Sequence, residues 1–136
     1  MDVRKLTDDV FVAPQIEVSD IPALAARGFR TIICNRPDGE APEQPRFSEI
    51  EKAAAAHGVT ILYQPVSGSI SDADVLAFRE AINGLPKPLL AYCRSGTRCT
   101  SLWSLSEAGQ RSVQDIIGRT QAAGYDMSGL LHRLEP

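Results

Sequence analysis

Residues 89–105, with the sequence LLAYCRSGTRCTSLWSL, decide the fold of this chain. The apolar run 89–92 predicts a buried strand, residues 93–98 predict a tight loop, and residues 100–105 resume a pattern typical of a helix. Cys93 therefore stands at the C-terminal end of a strand and faces a helix N-terminus. Backbone N–H groups and the helix dipole bind anions at such a position, and they favour thiolate over thiol. The stretch predicts a nucleophilic cysteine.

The other side chains of this loop indicate the same chemistry. Arg94 and Arg98 are costly to bury without an anion, and Gly96 permits a positive φ angle or a close backbone approach. A lone buried cysteine is usually a packing residue, so these neighbours are what favour a catalytic Cys93. We predict that Cys93 and Arg98 are catalytic. The remaining loop residues are predicted to bind the anion: Arg94, Ser95, Gly96 and Thr97.

Length, composition and charge limit the classes of protein to which this chain can belong. The chain has 136 residues, of which 43% are hydrophobic and 23% charged, and this suits a single domain over residues 1–136. A net charge of −3 gives no general attraction to nucleic acid or to an anionic membrane, and no apolar run approaches the roughly 20 residues needed to cross a bilayer. Three cysteines without a disulfide-scaffold spacing and a polar N-terminus predict a cytoplasmic protein.

Strand and helix patterns alternate along the chain. The predicted strands cover residues 10–13, 29–34, 59–64 and 89–92. The predicted helices cover residues 19–28, 47–58, 71–84, 100–105 and 112–123, and a short tail follows them. This alternation predicts an α/β fold, a single three-layer domain with a mostly parallel four-stranded sheet flanked by helices.

Ligands bind such sheets beyond the carboxyl ends of the strands. Three loops should meet at that edge, at residues 35–40, 65–69 and 93–98. The side chains predicted to neighbour the site come from these loops and from the turn after Arg98: Arg36, Asp38, Ser67 and Cys99. Neither histidine has a partner at metal-ligand spacing, so no metal and no cofactor are predicted.

The loop and the whole chain resemble known families. Cys-Arg-Ser-Gly-Thr-Arg resembles the active-site loop of rhodanese-type sulfurtransferases, with an arginine five positions after the cysteine. It also resembles the loop of protein tyrosine phosphatases, which place that arginine six positions later, where this chain has Cys99. The chain is similar to the phosphatase-like domain of the beta-lactamase-hydrolase-like family over four stretches, residues 11–16, 35–40, 92–98 and 123–126. This resemblance implies a dual-specificity-phosphatase-like fold and, for some members, sulfide detoxification beside a persulfide dioxygenase.

Loop length and a missing acid decide the main prediction. A loop that is one residue shorter contracts the ring of N–H groups and suits one sulfur atom better than a tetrahedral phosphate. Phosphatases of this fold also need a general acid, and the loop at 65–69 contains no carboxylate. Asp38 is one candidate acid, whereas Asp72 and Asp74 are better explained as helix-start residues. We predict a sulfurtransferase that carries sulfane sulfur as a Cys93 persulfide, with thiosulfate, sulfite or glutathione persulfide as substrate.

Two other functions stay open. A cysteine-based phosphatase would hydrolyse phosphate esters through a Cys93 phosphocysteine, although Tyr92 replaces the histidine that precedes the cysteine in many such enzymes. A non-catalytic module could bind oxyanions or persulfides with the same loop.

Arg98 is expected to fold back and bond the loop carbonyls or the bound anion. Cys99 is either a resolving thiol for an oxidised Cys93 or a small packing residue.

Overall fold

Residues 1–135 are described by a computed structural model of the protein. The strands within them are β1 (Arg4–Lys5), β2 (Val10–Ala13), β3 (Thr31–Cys34), β4 (Thr60–Tyr63) and β5 (Leu89–Tyr92). The helices are α1 (Ile21–Ala26), α2 (Phe47–Ala56), α3 (Asp72–Gly84), α4 (Thr97–Glu107), α5 (Val113–Ala122) and α6 (Leu131–Leu134). Short 3-10 turns occupy Val18–Asp20 and Ser128–Leu130.

In the described part of the chain, one sheet contains all five strands in the order β1-β2-β5-β3-β4. The four strands β2, β5, β3 and β4 run parallel, as the sequence predicts. The predicted count of four strands is one short, because β1 adds an antiparallel edge through Arg4 opposite Val12 and Lys5 opposite Phe11. A strand of two residues is too short to show an alternating pattern, so the sequence gives no signal for it.

Strand β5 lies at the centre of the sheet and is buried on both faces. Leu89 and Ala91 pack into the hydrophobic cluster that contains α3 and α4, whereas Leu90 and Tyr92 pack into the cluster that contains α1 and α2. The helices therefore form a layer on each side of the sheet. A strand covered on both faces has a continuous apolar sequence, which is what residues 89–92 have.

The helix starts follow local chemistry. The Ser71 hydroxyl accepts a hydrogen bond from Asp74 N at 3.1 Å, and the Asp74 carboxylate accepts one from Ser71 N at 2.9 Å, so a capping box starts α3. Helix α4 begins at Thr97, three residues earlier than predicted. Gly96 has a φ angle of 91°, which turns the chain from the loop directly into the helix.

The segment after α5 differs from the predicted short tail. It forms the second 3-10 turn and α6, and both Met127 and Leu134 are buried against the cluster that contains α4. The apolar residues Met127, Leu130 and Leu134 explain this packing, whereas Leu131 is exposed. Among the helices described over residues 1–135, none combines the length and the apolar character needed to cross a membrane.

Candidate active site

The three predicted loops meet at the carboxyl edge of the sheet. Asn35 N donates to Tyr92 O at 2.9 Å, and Val66 N donates to Asn35 O at 3.0 Å, which joins the ends of β5, β3 and β4. A fourth segment follows β2 and joins them, since Gln15 N donates to Arg94 O at 3.2 Å. The edge predicted from strand order is therefore the edge at which these loops are bonded to one another.

Cys93 lies directly after β5 and is 1% exposed. Its amide donates to Ala13 O at 3.3 Å, which fixes the start of the loop against β2. The amide of Gly96 donates to Cys93 Sγ at 3.1 Å, and Gly96 is the N-cap residue of α4. The sulfur atom therefore sits against the amino end of an eleven-residue helix, where partial positive charge favours an anion.

The surroundings of Cys93 lower the pKa of its thiol to about 6. The largest cause is a hydrogen bond from the Cys99 thiol; burial opposes it, and the backbone N–H groups of Cys99, Gly96 and Arg98 add to it. Burial raises the pKa of the Cys99 thiol well above its usual range and also raises that of Cys34. Cys93 is therefore mainly thiolate at neutral pH, while Cys34 and Cys99 stay protonated.

Arg98 is held by the loop that follows β3. Its Nη2 lies 3.1 Å from Glu40 Oε1, and its Nη1 donates to Asn35 O at 3.1 Å. These two nitrogens bond a carbonyl and a carboxylate of the neighbouring loop, and not the carbonyls of the loop that carries Arg98. The alternative that Arg98 binds the anion stays a prediction. A guanidinium group has five N–H donors, so others are available to an anion.

Glu40 links Arg98 to Arg36. Arg36 Nε donates to the same Oε1 atom at 3.1 Å, and Arg36 Nη1 donates to Gln15 Oε1 at 2.9 Å. Arg36 is only 4% exposed, whereas the side chains of Arg98 and Glu40 are 22% and 25% exposed. Burial alone would raise the pKa of the Glu40 carboxyl, but the hydrogen bonds from Arg98 and Arg36 outweigh it and lower that pKa. Glu40 is therefore ionised and orients both arginines.

The remaining loop side chains face solvent. Arg94, Ser95 and Thr97 are exposed, and Ser95 Oγ lies 3.1 Å from Thr97 Oγ1. Gly96, by contrast, is buried. Ser67, predicted as a site neighbour, is exposed in the loop after β4.

The candidate acids are engaged elsewhere. Asp38 Oδ1 accepts a hydrogen bond from Phe47 N at 2.8 Å, so this carboxylate lies at the start of α2. Asp74 completes the capping box of α3, and Asp72 lies 3.5 Å from Arg133 Nη2. The interpretation of Asp72 and Asp74 as helix-start residues agrees with the structure. Asp38 is exposed on the loop after β3, and its role as the acid stays a prediction.

Three residues whose side chains contact the site were missed in the sequence analysis. Glu40 and Gln15 bind the arginines described above, and the Tyr125 hydroxyl donates to Ser95 O at 3.1 Å. The charge of Glu40, on a loop predicted to meet Arg98, is a signal that could have identified it. Tyr125 is 30 positions from Ser95, and no local pattern predicts their contact.

Known sequences are similar to most of this chain. Residues 2–110 match the family described as beta-lactamase hydrolase-like protein, phosphatase-like domain. A beta-lactamase hydrolase-like protein from Agrobacterium fabrum is 36% identical over 140 residues, covering 99% of this chain and 32% of that protein. One from Xylella fastidiosa is 33% identical over 138 residues, with the same coverage. The chain spans about a third of the length of these relatives.

Solved structures are similar over nearly the whole chain. A proposed phosphatase from Neisseria meningitidis has a TM-score of 0.89 and 41% identity, covering 98% of this chain and 96% of that one. The catalytic core of a PP-IP phosphatase from S. cerevisiae, solved with citrate, has a TM-score of 0.72 and 17% identity, covering 96% and 80%. TpbA of P. aeruginosa, solved with pTyr, has a TM-score of 0.69 and 14% identity, covering 98% and 80%.

The last two likenesses show the fold alone, which is that of protein tyrosine phosphatase-like enzymes. The family match and the 41% identity to the proposed phosphatase from Neisseria meningitidis favour the phosphatase alternative over the predicted sulfurtransferase. The expectation of a relationship to the beta-lactamase-hydrolase-like family is confirmed. The chain belongs to the phosphatase-like domain family of the beta-lactamase hydrolase-like proteins.

Proposed function

We propose that this domain is a cysteine-dependent phosphatase that hydrolyses phosphate esters through a phosphocysteine on Cys93. The observation that carries the proposal is the hydrogen bond from Gly96 N to Cys93 Sγ at the amino end of α4. That position stabilises both a thiolate and the charged oxygens of a phosphoryl group. The phosphatase-like family and the phosphatases among the solved structures of similar fold support the same class of reaction.

The reaction has two displacements at phosphorus. The Cys93 thiolate attacks the phosphorus atom, an S–P bond forms, and the ester P–O bond breaks with its electron pair leaving on the alcohol oxygen. Water then attacks the phosphocysteine, the S–P bond breaks, and inorganic phosphate and the thiolate are released. The loop amides and Arg98 hold the equatorial oxygens in both steps, while Arg94 is exposed where it can attract the incoming anion.

The carboxylates restrict the substrate to esters with acidic leaving groups. Glu40 is held ionised between two arginines, and Asp38 is bonded to the start of α2. Asp72 and Asp74 lie at the start of α3, so we infer that none of these four carboxylates protonates the oxygen that departs beside Cys93. Aryl phosphates with an electron-withdrawing ring substituent, such as 4-nitrophenyl phosphate, and phosphoanhydrides release weakly basic oxyanions that need no proton, so they are the substrates that this site can hydrolyse.

Leaving-group dependence tests this restriction. We expect 4-nitrophenyl phosphate to be hydrolysed at least about a hundredfold faster than phenyl phosphate, because general acid catalysis typically contributes 10²–10⁴-fold and is missing here. The measurement is kcat/KM for both esters at pH 7. Similar values for the two esters would reveal a proton donor, and Asp38→Asn would then be the variant that identifies it.

The pH dependence of alkylation tests the state of Cys93. Because its pKa is lowered to about 6, the rate of reaction with iodoacetamide should rise as pH increases through 6 and then level off. Cys34 and Cys99 have raised pKa values, so Cys93 is the cysteine modified in this range. Peptide mass spectrometry identifies the site. A rate that levels off only near the roughly 8.5 of a free thiol would contradict the proposed nucleophile.

Sulfur transfer is a second candidate, because Arg98 follows Cys93 by five positions and Cys99 occupies the next position. In that reaction the thiolate attacks the outer sulfur of thiosulfate, a new S–S bond forms, and sulfite leaves with the electron pair of the broken S–S bond. A thiolate or sulfite acceptor then removes the outer sulfur from Cys93. No proton donor is needed for either step, which suits the positions of the carboxylates.

A further inference from the structure

We propose that Tyr125 is a positioning residue for the Cys93 thiolate, acting through the single peptide group that joins Ser95 to Gly96. The Tyr125 hydroxyl donates to Ser95 O at 3.1 Å, and the N–H of that same peptide group, which belongs to Gly96, donates to Cys93 Sγ at 3.1 Å. Tyr125 is therefore one peptide plane away from the sulfur atom. The inference rests on the proposed role of Cys93 as nucleophile.

Two effects follow from this arrangement. A hydrogen bond to a carbonyl oxygen polarises the whole peptide group, so the N–H on its other side becomes a stronger donor. The bond also fixes the rotation of the peptide plane, which directs the Gly96 N–H at the sulfur. Cys93 and Gly96 are both buried, and in such surroundings a charge-assisted hydrogen bond is worth more than in water.

The Tyr125 ring also packs against Gly96 and occupies the space that a side chain at position 96 would need. A Cβ atom at position 96 would clash with the Tyr125 hydroxyl oxygen and lie 2.9 Å from the ring carbon that bears it. Gly96 already has a φ angle of 91°, which side-chain-bearing residues rarely adopt. The tyrosine thus packs against the one loop residue that turns the chain into α4.

Tyr125 is itself held in place from both ends of the chain. Its amide donates to Thr120 O at 2.9 Å, and the guanidinium of Arg4 lies 5.5 Å from the centre of its ring. Arg4 Nη1 donates to Ala123 O at 2.8 Å, which joins β1 to the segment that carries the tyrosine. Burial raises the pKa of the Tyr125 hydroxyl, so it remains a protonated donor at neutral pH.

The test is the pH dependence of Cys93 alkylation in Tyr125→Phe, which removes the hydroxyl and keeps the ring. We expect the thiolate population below the pKa to fall about two- to fourfold, because the hydroxyl strengthens the Gly96 N–H donor by about 10–30% and does not itself contact the sulfur. Replacing Tyr125 with 3-fluorotyrosine makes the hydroxyl a stronger donor at nearly unchanged shape, so it should raise the thiolate population. This second replacement keeps the hydrogen bond and tests the proposal even where Tyr125→Phe does not fold.

Thr31→Val is the matched control. It removes a buried hydroxyl that donates to Pro86 O at 2.7 Å, at the opposite end of the sheet from the loop. We expect it to lower Tm and leave the alkylation profile of Cys93 unchanged. The inference would be overturned if the pKa of Cys93 is low in the wild type and neither change at Tyr125 shifts it. It would also be overturned if Thr31→Val shifts that pKa by as much as the changes at Tyr125. A wild-type pKa near that of a free cysteine would instead refute the proposed nucleophile.

Discussion

Cys93→Ser is expected to abolish the hydrolysis of aryl phosphates, with kcat/KM falling by at least about a thousandfold. A serine hydroxyl at this position is protonated at neutral pH, whereas the Cys93 thiol has its pKa lowered to about 6. The change therefore removes the anionic nucleophile and keeps the loop amides. Binding of phosphate or vanadate, measured by calorimetry, should survive in the variant because the amide of Gly96 is unchanged.

Cys34→Ser is the matched control for this experiment. Cys34 is also buried at a strand end, and its thiol donates to Arg36 O at 3.2 Å, a bond that a serine hydroxyl can replace. We expect this variant to keep nearly full activity. Activity that is retained in Cys93→Ser, or lost equally in both variants, would contradict a covalent role for Cys93.

Arg98→Lys should lower kcat/KM for aryl phosphates by about 10²–10³, the usual cost of removing a donor that stabilises transition-state charge. Arg98 uses Nη1 and Nη2 to hold Asn35 O and Glu40, and its planar group has further donors for the substrate. A lysine has three N–H donors on a single nitrogen and lacks the planar fork, so it cannot match the spacing of the carboxylate, the carbonyl and an equatorial oxygen together. The measurement is kcat and KM at pH 7, with most of the loss expected in kcat.

Arg94→Lys supplies the comparison, because Arg94 is exposed in the same loop. Its charge attracts the anion without a fixed geometry, so lysine should replace it with a loss of less than about tenfold, mainly in KM. Equal losses in kcat for the two variants would contradict the distinct roles assigned to them.

The loop and the centre of the sheet could be predicted because their signals are local. The run at 89–92 has the continuous apolar character of a strand covered on both faces, and Gly96 marks the turn into α4. Strand alternation then brings the loops at 35–40 and 65–69 to the same edge. These steps need only neighbouring residues and the handedness of parallel connections.

The contacts that orient the site could not be predicted because they join distant residues. Glu40 is 58 positions from Arg98, and Tyr125 is 30 positions from Ser95. Strand β1 has two residues and no alternating pattern of its own, and it forms through pairing with β2. The choice between phosphate and sulfur chemistry could not be predicted either. The length of the loop and the absence of a carboxylate at 65–69 favour sulfur transfer, whereas the family and the fold favour phosphate hydrolysis.

The most direct test of the central claim is the chemical state of Cys93 during turnover. The protein is mixed with excess 4-nitrophenyl phosphate in one reaction and with thiosulfate in another. Both reactions are quenched in alkaline denaturant, and the peptide containing Cys93 is then analysed by mass spectrometry. We predict that the peptide containing Cys93 gains the mass of one phosphoryl group in the first reaction. The corresponding peptide of Cys93→Ser should show no added mass. An unmodified Cys93 and no hydrolysis in the first reaction, with one added sulfur atom in the second, would contradict the phosphatase and establish the sulfurtransferase.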